Sequence, residues 1–550
     1  MTQGLTAYDR VQRELQLDVP EDFNFAVDVV GSWAQDPSHR AMMWTDERGE
    51  ERDLSFEHFA SRSSRLASGL QRAGVKRGDR VLVIIPPRPE WWETFMALLK
   101  LGAVVVPGTS QLTARDISYR VDLAEVRAII VDETIVDRAE EALGGREAVR
   151  VVVGGRDGWV SYDEVVSEGS AAFEPVRTRS DEPAILYFTS GTTGYPKMVL
   201  HTHASYGIGH FITGKFWLAL GPNDLHWNFS DTGWAKAAWS SLFGPWSVGA
   251  GVFVHRQYGK PDPAGLLSQF GRYPITSFCG APTVYRLLVQ QPLRDYTYPA
   301  LQSCVAAGEP LNPEVIGAWR EATGITIRDG YGQTETVVVC ANFPGMEIRP
   351  GSMGKPSPGF TLDVVGDDAR PLPPGREGDI GIRVHPRRPV GLFKEYWHAP
   401  LETARAFRGD YYITGDRAYR DEDGYFWFVG RADDVILSAA YRIGPFEVES
   451  ALIEHPAVAE AAVVGKPDPE RGQIVKAFVT LAPGYVGGPE LTQELQDHVK
   501  RVTAPYKYPR EIEYVDDLPK TVSGKIRRVE LREMEQTRAG STPDRPPTEE

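Results

Sequence analysis

Between residues 80 and 153, short apolar runs alternate with longer amphipathic ones, and this alternation limits the architectures open to the chain. Residues 80–86, Arg-Val-Leu-Val-Ile-Ile-Pro, read as a buried strand, and residues 91–101 as a helix with an apolar face. Strand-like 103–106, helical 115–124, and strand-like 128–131 and 149–153 follow. Repeated βα units of this kind imply a mostly parallel sheet covered by helices. A second set begins at 184–188 and takes in 248–254 and 303–307. Gly and Pro then punctuate 343–360, and 378–384 alternates like strands of a more antiparallel region. With 550 residues the chain is too long for one ordinary core, so at least two domains are expected.

One loop stands out for its chemistry. The strand at 184–188 runs into Thr189-Ser190-Gly191-Thr192-Thr193-Gly194-Tyr195-Pro196-Lys197. Glycines let a backbone turn its N–H groups toward an anion, hydroxyls add uncharged donors, and a lysine supplies a point charge. The pattern is that of a phosphate-holding loop. It is not a Walker A loop, because Lys197 follows Gly194 by three positions and precedes Met198. A flexible surface linker is the alternative for such a composition.

Further motifs follow in order: Asn228-Phe-Ser-Asp-Thr-Gly-Trp234, Asp329-Gly-Tyr-Gly-Gln-Thr-Glu335, Tyr412-Ile-Thr-Gly-Asp416, Gly430-Arg-Ala-Asp-Asp434 and Leu518-Pro-Lys-Thr-Val-Ser-Gly-Lys525. Together with the loop they resemble the adenylate-forming, AMP-binding superfamily over nearly the whole chain. The likeness is greatest to the medium-chain acyl-CoA synthetases, through Ser230 to Trp234, Gly280-Ala-Pro-Thr-Val-Tyr-Arg286 and Thr503-Ala-Pro-Tyr-Lys-Tyr-Pro-Arg510. The resemblance implies an α/β fold: a large N-terminal domain of two sheets with covering helices plus a distorted β-barrel, and a small mobile α/β C-terminal domain. The expected boundaries are 1–432, 433–536 and a disordered tail at 537–550, which is rich in Pro, Thr, Arg and Glu.

The same resemblance assigns roles. Residues 189–197, with Lys197, would hold the β- and γ-phosphates of ATP. Asp329, Gly330, Tyr331, Gly332, Gln333 and Thr334 would line the adenine and α-phosphate, with Thr334 near the reacting carboxylate. Glu335 would ligate Mg²⁺, a cation that takes one or two carboxylates plus phosphates; taken alone it reads as a surface or cap residue. Asp416 would accept the ribose hydroxyls, with Arg431 against the same nucleotide. Lys525 would bridge carboxylate and α-phosphate, where the transition state is most anionic. Asp433 would be the hinge of the small domain, with a helix or turn cap as the alternative. Trp234, Gly280, Ala307, Gly308 and Thr334 would border the acyl group. Gln111, Ala439, Ala440, Tyr441, Arg442, Arg471, Lys500, Tyr508 and Arg510 would meet coenzyme A, or else form a solvated basic face. Relatives usually carry Ser-Gly where this chain has Ala439-Ala440.

The reaction implied joins a carboxylate to AMP with release of pyrophosphate, after which the CoA thiol displaces AMP. No enzyme nucleophile is required, and no G-x-S-x-G elbow is present. His201 and His203 are spaced like a two-ligand strand pair but lack an evident third ligand, so they read as structural. The net charge of −15 argues against nucleic acid as a partner. Cys279, Cys304 and Cys340 form no C-x-x-C pair. No run reaches the roughly 18 apolar residues that would span a bilayer. Residues 1–25 lack an apolar signal region, so a cytoplasmic location is expected. The partners expected are a small carboxylic acid, ATP and CoA, with a homodimer as the assembly to test. The favoured acid is a medium-chain fatty acid. Benzoate-like or short branched acids, loading of a carrier-protein thiol, and non-catalytic acyl-AMP binding are the alternatives.

Overall fold

The computed structural model describes residues 7–189, 197–259, 261–438, 441–520 and 525–540. Two compact units result, one of Met1–Leu362 with Ile382–Tyr412, the other of Asp363–Gly381 with Ile413–Glu550. The division falls at Ile413 and passes through strands of a five-stranded sheet, where the sequence suggested a break at Asp433 and a distorted barrel.

The first unit holds two large sheets. In the eight-stranded one, Val160–Ser161, Val149–Val153, Ala128–Asp132, Arg80–Ile84, Val104–Pro107 and Pro183–Phe188 lie side by side in parallel, and Met198–Thr202 and Glu395–Tyr396 add antiparallel edges. Central strands covered on both faces should be apolar throughout, and Val81 to Ile84 and Ala128 to Asp132 are buried without a break. The nine-stranded sheet has a parallel centre, including Leu225–Asn228, Ser277–Gly280, Ser303–Ala307 and Ile327–Tyr331.

The two helices expected at 91–101 and 115–124 fall within a residue or two of those places. Pro89–Leu101 begins two residues earlier than its apolar run, because Pro89 suits the first helical turn, and it ends on Gly102 at φ 66°. Ala114–Leu123 starts with a capping box in which Thr113 and Asp116 satisfy each other's backbone N–H groups. The strand expected from 248 begins at Gly251, since Val248 closes the preceding helical turn. π-helical turns at His203–Ile208, Thr213–Trp217 and Trp239–Phe243 have no sequence signature, and such turns often mark functional sites.

The second unit carries a five-stranded sheet of Tyr441–Ile443, Ile436–Ser438, Gly472–Leu481, Val458–Asp468 and Glu511–Tyr514. Helices Pro445–Ile453 and Pro489–Val502 contribute Val448, Leu452, Leu495 and Val499 to its core. The helix Arg528–Gly540 follows Lys525 and carries ion pairs at successive turns: Arg528 with Glu449, Arg532 with Asp434, Glu535 with Lys476 at 2.8 Å, and Arg538 with Glu513 at 2.7 Å. Glu535 and Lys476 are buried, and their mutual charge compensates the desolvation. Thr537, placed in the tail by composition, is therefore helical; residues 541–550 lie outside the described residues.

Candidate functional site

In the first unit the loop after Phe188 joins two antiparallel strands, Phe188 standing opposite Met198 and Tyr187 opposite Val199. The loop is closed at its base by Thr189, whose N–H donates to the Lys197 carbonyl at 2.9 Å. Ser190, Gly191, Thr192, Thr193, Gly194, Tyr195 and Pro196 lie outside the described residues. Lys197 is exposed, with its ammonium 4.9 Å from the centre of the Tyr396 ring.

The strand Ile327–Tyr331 delivers the next motif. Burial pushes the Asp329 carboxyl up to about 8, so it is largely protonated at neutral pH and lies inside the sheet, with Oδ1 accepting the Gly330 N–H at 2.9 Å. Gly330 lies against the Trp217 indole, where a Cβ would fall 2.5 Å from the ring. The chain then turns, the Gln333 N–H donating to Thr336 Oγ1 at 2.9 Å. Every side chain from Tyr331 to Glu335 is half-buried. Three side chains hold this turn, His201 and Tyr396 from outside the motifs and Tyr412 from the head of its own. Tyr412 donates to Gln333 Oε1 at 3.2 Å, His201 Nε2 lies 2.7 Å from the Thr334 carbonyl oxygen, and Tyr396 donates to Glu335 Oε1 at 2.9 Å. His203 starts a π-helical turn, and no group of three His, Cys, Asp or Glu side chains suited to a metal occurs among the described residues.

Trp234 is half-buried and leads into the short helix Ala235–Ala238. Its loop is fixed by Asp231, which accepts the Gly233 N–H at 2.8 Å and the Ser110 hydroxyl at 2.9 Å, and burial raises its pKa above the usual carboxylate value. Gly233 presses on residues 108–109 so closely that a Cβ would lie 2.1 Å from the Thr109 nitrogen. Gln111, next in sequence to Ser110, is exposed. Gly280 lies under the Tyr285 and Phe278 rings, Ala307 is buried, and Gly308, at φ 110°, faces open space. Phe278 and Trp239 are core residues, Phe278 packing edge-on against Tyr285.

In the second unit Asp416 and Arg431 stand opposite each other on antiparallel strands, with Arg431 Nε 3.3 Å from Asp416 Oδ1. Asp416 is buried. Asp433 is exposed in the turn that leaves the strand, and its neighbour Asp434 is the partner of Arg532. Lys525 is exposed. Lys520 pairs with Glu460 at 2.6 Å. Tyr508 gathers two of the expected CoA residues: Lys500 Nζ lies 4.4 Å and Arg510 Cζ 5.1 Å from its ring centre. Lys500 also pairs with Asp497 at 2.8 Å. Gly472, next to Arg471, stands opposite Ser438, and Tyr441 stacks on exposed Tyr506 with ring centroids 4.1 Å apart. Ala439, Ala440 and the Arg442 side chain lie outside the described residues.

A hard carboxylate at Glu335, held by a neutral donor, fits a magnesium ion that completes its coordination with phosphate oxygens. Residues 30–397 match the AMP-binding enzyme family and residues 447–525 the AMP-binding enzyme C-terminal domain. Acyl-coenzyme A synthetase ACSM3, mitochondrial, of Homo sapiens is 50% identical over 546 residues, covering 97% of this chain and 93% of its own. Acyl-coenzyme A synthetase ACSM4, mitochondrial, of Homo sapiens is 48% identical over 542 residues, covering 96% and 93%. Among solved structures, the anthranilate CoA ligase AuaEII in complex with anthranoyl-AMP superposes with a TM-score of 0.87 at 31% identity, covering 95% of this chain and 99% of its own. A benzoate CoA ligase from Burkholderia xenovorans LB400 gives a TM-score of 0.83 at 28% identity, covering 93% and 100%. The mitochondrial names of the relatives overturn the cytoplasmic location expected from the N-terminal composition. The chain belongs to the AMP-binding enzymes, and within them it is an acid–thiol ligase of the acyl-coenzyme A synthetase type, using ATP, Mg²⁺ and coenzyme A.

Proposed function

We propose that this ligase acts on medium-chain fatty acids. The observation that carries the reading is Trp234, a half-buried indole at the head of a helix, on a loop braced by Asp231, Ser110 and Gly233 beside Gln111. Such a ring can close an apolar acyl site on one side and border the thiol's approach on the other. Gly280, Ala307 and Gly308 form the rest of the acyl site, and Thr334 faces the carboxylate.

In the first half-reaction a carboxylate oxygen attacks the α-phosphorus and pyrophosphate leaves; in the second the thiolate sulfur attacks the acyl carbon and AMP leaves. Lys197 and residues 189–196 hold the β- and γ-phosphates, and residues 329–334 line the adenine and α-phosphate. Glu335 holds the magnesium ion, which neutralises phosphate charge when bound. Asp416 accepts from the ribose, with Arg431 as its neighbour. Lys525 supplies its ammonium to the charge that develops between carboxylate and phosphate. Asp433 is the hinge that allows the small domain a separate arrangement for each half-reaction. Arg471, Lys500, Tyr508, Arg510 and the segment from Ala439 to Arg442 receive coenzyme A, and the Ala439-Ala440 pair brings an added methyl group close to pantetheine.

The test is a panel of straight-chain C4 to C12 acids with benzoate and branched short acids, scored for AMP and acyl-CoA. A maximum among the C6 to C10 acids is expected. The likeness to benzoate and anthranilate CoA ligases favours aromatic acids as a second reading, and a maximum on benzoate would replace the first with it. The assembly proposed is a homodimer, and a monomer mass by light scattering would end that part.

A further inference from the structure

Lys197 and Glu335 are far apart in sequence, and residues 391–397 run between the strand Met198–Thr202 that follows Lys197 and the turn that carries Glu335. On one side Tyr396 stands opposite Val199 and Glu395 opposite Leu200. On the other, the Phe393 N–H donates to the Glu335 carbonyl at 2.8 Å and the Val337 N–H to the Gly391 carbonyl at 3.0 Å. Tyr396 is held within this seam. Its N–H donates to Thr403 Oγ1 at 3.0 Å, its ring packs on Phe393 with centroids 4.9 Å apart, and it is 6% exposed. From that fixed place its hydroxyl reaches Glu335 and its ring face lies beneath the Lys197 ammonium.

We propose that Tyr396 is a positioning residue for the nucleotide: it sets the spacing and aim of the Lys197 ammonium and the Glu335 carboxylate, and so where the magnesium triphosphate docks. The proposal rests on reading those two residues as the triphosphate and metal groups. A phenol suits the task because both contacts are weak and neutral. The hydroxyl orients the carboxylate without cancelling its charge, and the ring face attracts the ammonium without neutralising it. A carboxylate in the same place would compete with phosphate for Lys197, and a cation would compete with magnesium for Glu335.

The test titrates ATP calorimetrically into the full-length protein without acid or CoA, so no turnover occurs, with Mg²⁺ and again with EDTA. Tyr396→Phe keeps the ring and removes the hydroxyl; it is expected to weaken ATP binding about 3- to 10-fold with Mg²⁺ and to leave binding in EDTA unchanged. Tyr396→Leu removes both contacts and is expected to weaken binding in both. Lys197→Ala and Glu335→Gln are titrated alongside. If these two lose affinity while both Tyr396 variants bind like the parent, the positioning role is wrong and the reading of the site stands. If Lys197→Ala and Glu335→Gln also bind like the parent, that reading falls and the proposal falls with it. A lower urea midpoint for Tyr396→Phe with the Mg²⁺ dependence intact would reduce Tyr396 to a packing residue and overturn the proposal.

Discussion

His201 Nε2 and the Thr334 carbonyl oxygen lie 2.7 Å apart, linking the strand that leaves the phosphate loop to the turn that carries Thr334 and Glu335. A carbonyl only accepts, so Nε2 bears the proton and Nδ1 accepts from the Ser205 hydroxyl at 3.2 Å. Burial pushes the His201 pKa down to about 4, so the ring stays neutral and this tautomer persists at physiological pH. His201→Phe leaves the carbonyl without its donor at a cost of about 1–3 kcal/mol, and acyl-AMP formation should fall by roughly 10- to 100-fold. His201→Gln, which can still donate, should retain more. Pyrophosphate exchange, corrected for folded fraction, checks this; an unchanged rate in His201→Phe removes the link from the mechanism.

Lys525→Ala should lower acyl-AMP formation by about 10²–10³, the cost of one donor at a developing charge, while thioester formation from supplied acyl-AMP stays near the parent rate. Its exposed position on the small unit motivates a role confined to one half-reaction. Single-turnover measurement of each half-reaction separates them, and an equal fall in both would end the two-arrangement account.

Trp234→Ala should shift the preferred chain length and leave ATP affinity as it was. Each additional methylene accommodated is worth roughly 0.8 kcal/mol. Relative rates over C4 to C12 acids that do not move would take Trp234 out of the acyl site.

Asp329 makes stability depend on pH in a direction opposite to most carboxylates. Its pKa rises from 3.8 to about 8 on burial, so between those values the folded state holds a proton that the unfolded state has lost. Its contribution to stability is therefore complete below about pH 4 and declines as pH rises toward 8. Asp329→Asn should flatten this decline, raising the urea midpoint at pH 8 relative to the parent and narrowing the difference at pH 5. A difference independent of pH would show that Asp329 is ionised in the folded protein.

Local pattern carried most of the architecture. Val149–Val153 and Ser303–Ala307 have the bounds that their apolar runs predict, because buried parallel strands are continuous in hydrophobicity. The 17-residue helix Phe56–Arg72 escaped, its many serines and arginines diluting the apolar face. The motif residues were legible because phosphate and magnesium chemistry favours particular side chains at short spacings. The contacts of His201, Tyr412 and Tyr396 were not, since they join residues 133, 79 and 61 positions apart that only the tertiary fold brings together. The unit division likewise depends on which strands share a sheet.

The helix Arg528–Gly540 pairs its charges at unequal depth: Glu449, the partner of Arg528 in its first turn, and Glu535 are buried, while Arg538 at the far end is exposed. Dissolved ions screen the outer pair strongly and the inner ones weakly. Raising the ionic strength should therefore fray this helix from its last turn backward, and hydrogen exchange would record that order. The turn next to Lys525 would be the last to loosen, so the reach of its ammonium should tolerate salt concentrations at which the end of the helix has already melted.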